Sequence, residues 1–527
     1  MRIHGKWILL LVSAALYVSS YPPLPSGALA WVFLLPFFEL LRRGEYRGGF
    51  RWGLVLGLIA NGGLLYWMSL NNGASTGQAL SMHLLLTLYL AIGWGVFGHL
   101  LGAACRRFGE HGIWAAPVLW TGIEYLYSFG DLAFTWTSLA TTQTGYPELL
   151  QYITVTGMYG VTFWAVLLNV LIHRAWRRRG WREAAAVMGL ILLPLIHGYI
   201  VMPDEDHPPA ERLRVAAIQP NVNSVRKFNE RNLAYLELMK LTGSLESGPY
   251  DLVVWPETAT PILLEEDEQR AGEVRAALDE IDSALMTGAI RHEETGGDGD
   301  GEIDGEAGRA ARIRSRGYRS LNSVLLLRPD SERIESYDKL FLVPFGETVP
   351  SFMWFMEDML LDVGIGSLVP GEETKLLDVP IYRGEEVVRE VPTATAICLE
   401  GIYSRFVRGL VRRGAELLVV LTNDAWYDGT SEPHQHARIA VLRAVEHRIA
   451  VVRCANSGIS AVIDPYGRVR KETPAGEQAV LESFVEIGGQ RTAFTAAGEW
   501  LPIALLVLAG ALSVFLLVEP RLRRRRG

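Results

Sequence analysis

Three kinds of side chain that can carry out acyl chemistry stand beside apolar runs of this sequence: a thiol, a carboxylate and an amine. Cys398 closes the apolar, β-branched run of TATAICLE in a chain with three cysteines. Glu257 lies just past another such run, in WPET, and Lys339 and Glu347 belong to YDKLFLVPFGE. A carboxylate can take the proton of a thiol, and an ammonium can stabilise the oxyanion formed when a thiolate attacks a carbonyl. These residue types fit nucleophilic catalysis, although spacing alone does not show that they meet.

Each of these residues also has an ordinary structural interpretation. Cys398 could be a small buried apolar residue, or it could form a disulfide with Cys454 if the region lies in an oxidising compartment. Glu257 and Lys339 could be paired or solvated charges. Glu347 could form a salt bridge that only supports its loop. The residues taken singly therefore leave the question open.

Motifs for cofactors are absent from the sequence, which has no glycine-rich phosphate loop, dinucleotide fingerprint or zinc-ligand spacing. His434 and His436 lie two residues apart, which does not place them on one face of a helix. We therefore expect no cofactor, no metal site and no nucleic-acid partner.

The region from 210 to 492 alternates short β-rich runs with helix-like stretches. The predicted strands lie at 213–222, 251–258, 284–290, 323–329, 393–400, 416–424, 450–456 and 459–465, and the predicted helices at 226–242, 265–282, 402–413 and 433–448. Such alternation favours a layered α/β fold with buried sheets. Glu257 would then follow the end of a strand, where a side chain emerges from a sheet into a crevice.

The other parts of the chain have the composition of membrane-spanning helices. The sequence is 49% hydrophobic with a mean hydropathy of +0.17, and its apolar residues concentrate in 7–201 and 499–518. We predict about eight spans, several of them shorter than the ~20 residues that cross a bilayer upright. They lie at about 7–21, 27–41, 53–70, 79–104, 113–129, 152–173, 184–202 and 499–518. In an alternative interpretation residues 6–30 are a cleaved signal peptide ending in the small residues ALA, and the later topology is unchanged.

Basic residues alternate between the loops of this predicted membrane region. They lie near the N-terminus, in every second loop and at the C-terminus, at Arg2, Lys6, Arg42, Arg43, Arg47, Arg51, Arg106, Arg107, Arg174, Arg177, Arg178, Arg179, Arg182 and 521–526. Intervening loops such as NNGASTGQ have neither Lys nor Arg. The positive-inside rule then predicts both termini in the cytoplasm and the 210–492 domain on the opposite side. Glu124, in the fifth predicted span, is either a functional acid or a residue whose hydrogen bonds join helices.

An acidic segment interrupts the α/β pattern. Residues 293–306, EETGGDGDGEIDGE, hold seven acids among glycines. Ile303 occupies the position where a calcium-binding loop needs glycine. We therefore expect a solvated, disordered surface insertion rather than a calcium site.

The motifs together resemble those of the nitrilase superfamily, whose members use a Glu, Lys, Cys triad on an αββα sandwich. WPET matches the context of the Glu, YDKLFLVPFGE that of the Lys and AICLEGIY that of the Cys, and TNDAW and NSGIS follow in the same order. With the predicted spans, the whole chain is similar to the bacterial apolipoprotein N-acyltransferase family. The resemblance implies a seven-span region at 1–209, an extracytoplasmic nitrilase-like catalytic domain at 210–492, and a last span with a basic tail at 493–527.

The resemblance also implies a reaction. Cys398, activated by Glu257, would attack the ester of a membrane phospholipid, expected to be phosphatidylethanolamine, and form a thioester. Lys339, with the backbone N–H of Leu399, would stabilise the oxyanion. The N-terminal amine of a diacylglyceryl-cysteine apolipoprotein would then take the acyl chain, in the bacterial inner membrane with the catalytic domain on its periplasmic side. Glu347 and Glu400 are expected to support the triad.

Residues that contact lipid are expected near this site. Trp354, Phe355 and Met356, in SFMWFMEDMLL, are candidates for a lipid-facing lid or, equally, for ordinary core, and Trp426 in TNDAW is a further contact candidate. Leu399 stands where the family commonly has an aromatic residue, which puts an aromatic acyl-chain contact there in doubt. A rival function uses the same triad as a membrane-tethered nitrilase-type amidase, in which water hydrolyses the thioester.

Overall fold

Apolar stretches fold into helices throughout the first part of the chain. The computed structural model describes residues 3–204, 211–246, 248–294, 318–351, 368–384, 386–488 and 491–526. The helices before the α/β region are α1 (Ile3–Ser19), α2 (Leu34–Arg43), α3 (Gly49–Leu64), α4 (Thr76–Phe108), α5 (Ala116–Leu126), α6 (Pro147–Leu150), α7 (Ile153–Thr156), α8 (Met158–Arg178) and α9 (Trp181–Val201). Glu124, on α5, accepts hydrogen bonds from Ser138 and Thr162, both at 2.6 Å, as expected of a residue that joins segments of the bundle.

Helix length identifies fewer membrane spans than the sequence predicted. Among the described residues, four segments are long and apolar enough to cross a membrane: Thr76–Leu126, Met158–Arg178, Trp181–Val201 and Trp500–Val518. Each of the eight predicted spans overlaps a helix, but α1, α2 and α3 have 17, 10 and 16 residues. At 1.5 Å per residue such helices are shorter than a hydrocarbon core of ~30 Å. Length and composition therefore establish four candidate segments, and the count of eight stays a prediction.

Small residues allow α3 and α4 to pack backbone against backbone. Gly49, Gly53 and Gly57 repeat every four residues and so lie on one face of α3. A Cβ atom at Gly49 or Gly53 would collide with the carbonyl group of Gly98 or Trp94 of α4. A side chain at these positions would push the two helices apart.

Two mixed β-sheets form the centre of the α/β region. Its strands are β1 (Arg212–Gln219), β2 (Leu252–Val254), β3 (Ala284–Glu294), β4 (Tyr318–Arg328), β5 (Ser331–Asp338), β6 (Leu377–Arg383), β7 (Glu386–Ile397), β8 (Leu417–Thr422), β9 (Ala450–Ala455), β10 (Ala461–Ile463), β11 (Val469–Glu472) and β12 (Ala479–Glu486). Within the described residues each sheet has six strands, in the orders β12-β1-β2-β3-β4-β5 and β11-β10-β9-β8-β7-β6. The central pairs β1/β2, β2/β3, β7/β8 and β8/β9 are parallel, and the outer pairs are antiparallel.

Helices cover the outer face of each sheet. They are α10 (Ser224–Asn229), α11 (Arg231–Thr242), α12 (Glu268–Asp279), α13 (Ser404–Arg412) and α14 (Glu432–His447), followed by α15 (Ala493–Ala497) and α16 (Trp500–Arg526). Alternate side chains of β1 lie on opposite faces of the first sheet and pack in different apolar cores. Val215 and Ala217 belong to the core that includes the second sheet, whereas Ala216 and Ile218 pack with residues of α11 and α12. The architecture is therefore the layered α/β fold that the alternation predicted, in the αββα order that the family resemblance implied.

Four strands were not predicted, and they are the edge strands of the two sheets. β5, β6, β11 and β12 each have a strand neighbour on one side only within the described residues. The sequence of β5, SERIESYD, is largely polar, and β11, VRKE, is exposed over most of its length. β5 and β11 carry polar and charged residues and lack the apolar run by which a buried strand is detected. β6 is mostly buried, but Asp378 and Pro380 interrupt its apolar run, LDVPIYR.

The α/β region packs on the helical bundle through α14. Ile439 of α14 belongs to the same apolar cluster as the bundle helices. The Gln435 side-chain oxygen accepts hydrogen bonds from the indole N–H groups of Trp67 (3.3 Å) and Trp136 (2.9 Å). Helix α14 therefore lies between the second sheet and the bundle.

The predicted acidic insertion begins inside a strand. Glu293 and Glu294 are the last residues of β3, and Glu293 forms an ion pair with Arg319 of β4. The start of the insertion is thus later than predicted, because this antiparallel pairing continues to the end of β3. Residues 295–306, on which the rest of that prediction falls, lie outside the described residues.

Candidate active site

Glu257 lies on a turn that leaves the first sheet after β2. Trp255 N–H donates to the Met286 carbonyl at 2.8 Å, and Gly288 N–H donates to the Pro256 carbonyl at 3.1 Å, so β3 holds the turn on both sides. A Cβ atom at Gly288 would lie 2.6 Å from the Glu257 Cα. Glycine at this position therefore lets the turn lie directly on the strand.

Lys339 follows β5 and is held on β4 by its own backbone. Its N–H donates to the Asn322 carbonyl at 2.8 Å. Its Nζ lies 3.2 Å from Glu257 Oε1 and 3.0 Å from Glu347 Oε1, and its side chain is fully buried. The Asn322 side-chain N–H donates to the same two carboxylate oxygens, at 2.8 and 2.9 Å. The ammonium thus joins two carboxylates that come from different loops.

The charge of Lys339 is stabilised by these carboxylates. Burial alone would lower the pKa of Lys339, but attraction by Glu257 and Glu347 outweighs it and holds the pKa well above its ordinary value. The side chain is therefore a permanent cation near neutral pH, positioned to stabilise negative charge that develops nearby.

Cys398 stands at a sharp turn between β7 and the short 3-10 turn Cys398–Ile402. Its φ of +50° is in the left-handed region, which non-glycine residues seldom adopt. Burial, followed by repulsion from Glu257, raises the pKa of the Cys398 thiol well above its ordinary value, although Lys339 opposes the rise. The resting thiol is therefore protonated and needs a base to become a nucleophile.

Glu400 connects the cysteine turn to the lysine loop. Its Oε1 accepts hydrogen bonds from the Tyr337 hydroxyl (2.8 Å), Leu340 N–H (2.7 Å) and Phe341 N–H (3.3 Å), and its Oε2 accepts one from Ile397 N–H (2.9 Å). Burial raises the pKa of Glu400 to about 7, while these donors and Lys339 limit the rise. Glu400 is fully buried, so it supports the site from behind rather than facing a substrate.

One cavity of about 580 Å³ is lined by Cys398, Lys339, Glu257 and Glu347. Asn71, Gly73, Gln78 and Met82, which come from the bundle side of the chain, line the same cavity. The Asn72 N–H donates to the Trp426 carbonyl at 2.9 Å and fastens this loop to the α/β region. The cavity is therefore enclosed by both parts of the chain.

A second group of charged residues lies at the same cavity, and two of its members, Asp424 and Glu432, line it. Asp424, Glu432 and His436 are buried, and their ligand atoms lie within 4.8 Å of one another, which is close enough for a metal ion. Arg453 donates to Asp424 Oδ2 at 2.9 Å, and His436 Nδ1 lies 2.9 Å from Asp424 Oδ1. Both carboxylate oxygens of Asp424 thus already face protein donors, which fits a hydrogen-bonded cluster better than a cation site.

Only some of the remaining predicted residues line the cavity. Trp426 lines the cavity, whereas Leu399 is partly buried against the apolar cluster of the bundle. Cys398 and Cys454 are both unpaired, so the alternative of a disulfide between them is wrong. Trp354, Phe355 and Met356 lie outside the described residues.

Several site residues were missed by the sequence reasoning. Asn322 is an amide directly before the largely apolar run SVLLL, and this position could have drawn attention to it. Lys227 lies buried with its Nζ 3.4 Å from Thr258 Oγ1, and burial lowers its pKa to about 8 while Glu257 limits the fall. The loop from Asn71 to Gln78 attracted notice only because it has no basic residue. Nothing in these local sequences indicates proximity to Cys398.

Two family models match the chain. The apolipoprotein N-acyltransferase N-terminal domain matches residues 13–171, and the carbon-nitrogen hydrolase domain matches residues 214–487. The apolipoprotein N-acyltransferase of Geobacter metallireducens is 32% identical over 531 residues, which cover 96% of this chain and 95% of that protein. The apolipoprotein N-acyltransferase of Chlorobaculum tepidum is 30% identical over 548 residues, covering 99% and 98%.

Solved structures also resemble part of the chain. Nit3 of Saccharomyces cerevisiae, from branch 10 of the nitrilase superfamily, is 15% identical and covers 53% of this chain and 91% of its own, with a TM-score of 0.34. A carbon-nitrogen hydrolase from Helicobacter pylori is 14% identical and covers 52% and 89%, with a TM-score of 0.34.

Proposed function

From the premise that the chain belongs to the apolipoprotein N-acyltransferase family and is an acyltransferase of lipoprotein maturation, we propose that Cys398, Glu257 and Lys339 perform the transfer. The observation that carries this assignment is the buried Lys339 ammonium, which contacts the Glu257 and Glu347 carboxylates in the cavity that Cys398 lines. A base, a cation and a thiol then face one reacting carbonyl.

The first half of the reaction loads the enzyme. Glu257 takes the thiol proton, and the Cys398 sulfur attacks the ester carbonyl of a phospholipid. Negative charge develops on the carbonyl oxygen, where Lys339 and the Leu399 N–H stabilise it. Collapse of this intermediate breaks the ester bond, the lysophospholipid oxygen takes the proton from Glu257, and a thioester remains on Cys398.

The second half transfers the acyl chain to the lipoprotein. An α-amine has an ordinary pKa of about 8, so its free form must be supplied near neutral pH. Glu257 takes a proton from the attacking amine of the diacylglyceryl-cysteine, and Lys339 again stabilises the oxyanion. The carbon–sulfur bond breaks, an amide forms, and the Cys398 thiol regains the proton. Glu347, which accepts the Val343 N–H at 2.8 Å, holds Lys339 in place throughout.

The membrane setting accounts for the choice of substrates. The acyl donor, which we propose is phosphatidylethanolamine, and the lipoprotein acceptor are both anchored in a bilayer. The enzyme, with apolar helices on both sides of its catalytic domain, is anchored in a bilayer as well. The alternating basic loops favour eight spans, with a seven-span region at 1–209, a periplasmic domain at 210–492 and a last span with a cytoplasmic tail at 493–527. We place the protein in the bacterial inner membrane.

Acyl loading tests the two-step reaction. Purified enzyme exposed to phosphatidylethanolamine without lipopeptide should carry one acyl group on Cys398, detected by intact-mass and peptide mass spectrometry, and should release lysophospholipid. Addition of a diacylated lipopeptide should then discharge the enzyme and yield the triacylated product. Full transfer without any acyl adduct would overturn the thioester. Release of free fatty acid in place of triacylated product would favour the tethered amidase.

A further inference from the structure

The carbonyl group of the proposed nucleophile has a buried partner on α14. His436 Nε2 lies 3.4 Å from the Cys398 carbonyl oxygen, and His436 Nδ1 lies 2.9 Å from Asp424 Oδ1. The imidazole is 4% exposed and so has little freedom to leave this position. Both neighbours are hydrogen-bond acceptors, so the ring makes both bonds when each nitrogen carries a hydrogen.

Asp424 is a firm anchor for this ring. It accepts hydrogen bonds from the Thr422 hydroxyl at 2.8 Å and from Arg453 at 2.9 Å. Burial would raise the pKa of Asp424, but Arg453 and His436 outweigh it and hold the pKa well below its ordinary range. On the other side, the Trp136 ring lies 5.0 Å from the His436 ring, centroid to centroid. An ionised carboxylate and an aromatic wall thus fix the orientation of the imidazole.

This contact constrains the orientation of one peptide bond. The Cys398 carbonyl and the Leu399 N–H belong to one planar trans peptide and point to opposite sides of it. The first N–H groups of a helical turn have no partner within the turn, so the Leu399 N–H is available to a ligand. The 3-10 turn Cys398–Ile402 also constrains this peptide, and Cys398 adopts its left-handed φ of +50° at the start of that turn. The contact with His436 adds a second constraint on the carbonyl and therefore on the direction of the N–H.

We propose that His436 is a positioning residue that donates to the Cys398 carbonyl and thereby keeps the Leu399 N–H directed at the reacting carbonyl oxygen, beside Lys339. This inference rests on the proposed role of Cys398 in acyl transfer. His436 itself touches no substrate and transfers no proton in the reaction. It acts through the peptide that follows the nucleophile.

Two conservative substitutions separate this role from general support of the fold. His436→Gln places an amide N–H near the position of Nε2, within reach of the Cys398 carbonyl, whereas His436→Asn places its amide near Nδ1 and leaves that carbonyl without a donor. Transfer is measured with phosphatidylethanolamine and a diacylated lipopeptide. Alkylation of Cys398 by iodoacetamide is measured in parallel, because displacement at a saturated carbon develops no oxyanion and needs no N–H donor for one.

We expect His436→Asn to lower kcat by ~100 to 1000-fold, the usual cost of losing one oxyanion donor. The KM of His436→Asn for phospholipid and its rate of alkylation should stay within about threefold of wild type. The kcat of His436→Gln should be at least about tenfold higher than that of His436→Asn. If transfer and alkylation fall together in both variants, or if neither falls, the proposal is overturned. The acyl adduct on wild-type Cys398 is measured separately from transfer and alkylation, so failure of the thioester mechanism and failure of the proposal for His436 give different results.

Discussion

At the scale of single residues, the site depends on a charge that has little access to solvent. Lys339 is fully buried, yet its two carboxylate neighbours keep it protonated. In the proposed reaction the developing oxyanion would therefore meet a cation whose place is fixed before the substrate binds. Such preorganised charge is worth more in a buried site than in water.

Removing this charge should stop the first half of the reaction. We expect Lys339→Met to lower the rate of acyl loading from phospholipid by ~100 to 1000-fold, because the oxyanion loses its cation. Loading is followed by mass spectrometry of the enzyme over time. Lys240→Met is the matched control, since the Lys240 side chain is 70% exposed on α11, and it should load at the wild-type rate. Equal loading by both variants would contradict the role of Lys339.

The two α/β-region cysteines should behave in opposite ways. Cys398→Ala should abolish transfer, because no other thiol lines the described cavity. Cys454 is completely buried, and its thiol faces the carbonyls of Ile218 and Val254. Cys454→Ala should cost ~1 kcal/mol of stability through a small cavity and retain most activity. Activity assays and thermal unfolding of the two variants check this, and substantial turnover in Cys398→Ala would rule out the nucleophile.

At the scale of elements, strand positions place the proposed catalytic side chains. Glu257, Lys339 and Cys398 each follow the end of a strand, β2, β5 and β7. Two of these strands belong to the first sheet and one to the second, so the site forms where the ends of both sheets meet. The packing of the sheets thus determines the distance between the proposed base, Glu257, and the proposed nucleophile, Cys398.

Gly288 gives a direct test of how closely the base must be held. Gly288→Ala should push the Glu257 turn away from β3, since the new methyl group would meet the Glu257 backbone at 2.6 Å. We expect acyl loading to fall ~10 to 100-fold, as small misplacements of catalytic groups commonly do. Gly272→Ala is the matched control, because this helical position faces open space and should gain ~0.5 to 1 kcal/mol of stability with full activity. A fully active Gly288→Ala would show that the turn tolerates displacement.

The contact between the cysteine turn and the lysine loop should depend on pH. The pKa of Glu400 is raised to about 7 from an ordinary value of 4.5, so its contribution to stability is complete below pH 4.5 and is lost as the pH rises through 7. Wild-type protein should therefore lose more thermal stability between pH 5 and 7.5 than Glu400→Gln does. Glu372→Gln, at a side chain that is 75% exposed, should follow the wild-type pH dependence. Parallel curves for all three proteins would contradict the raised pKa.

The sequence predicted the centre of the fold better than its edges. The predicted strands are those buried inside the sheets, such as β8, LLVVLT, whose six residues are all buried. The strands that were missed are β5, β6, β11 and β12, which lie at the four edges and have mixed composition. Pattern recognition detects unbroken apolar runs, and charged residues break them in β5, β11 and β12, as Asp378 and Pro380 do in the mostly buried β6.

At the scale of the whole molecule, the site draws on residues far apart in the sequence. The roles of Glu257, Lys339 and Cys398 were predicted through a family resemblance, whereas their spacing gave no evidence that they meet. Asn71 could not be assigned in this way, because it reaches the cavity only when the bundle and the α/β region pack together, and His436 reaches Cys398 only when α14 packs on the second sheet. Long-range packing of this kind leaves no local pattern.

The junction between the bundle and the α/β region can be weakened at one side chain. Gln435→Leu would leave the indole N–H groups of Trp67 and Trp136 buried without their acceptor, at a cost of ~1 to 3 kcal/mol each. We expect a lower unfolding temperature and faster proteolysis between the two parts. Gln269→Leu, on the exposed face of α12, is the control and should leave both measurements unchanged. Unaltered stability of Gln435→Leu would show that these bonds contribute little to the junction.

The pairing of β1 with β12 has a consequence for how the chain is made. These are the first and last strands of the α/β region, and they are neighbours in the first sheet. During synthesis β1 has an open edge until residues 479–486 have left the ribosome, and an open edge can pair with other chains. A message truncated before residue 479 would therefore encode every proposed catalytic residue and still yield an inactive chain, because the sheet that carries Glu257 would lack its closing strand.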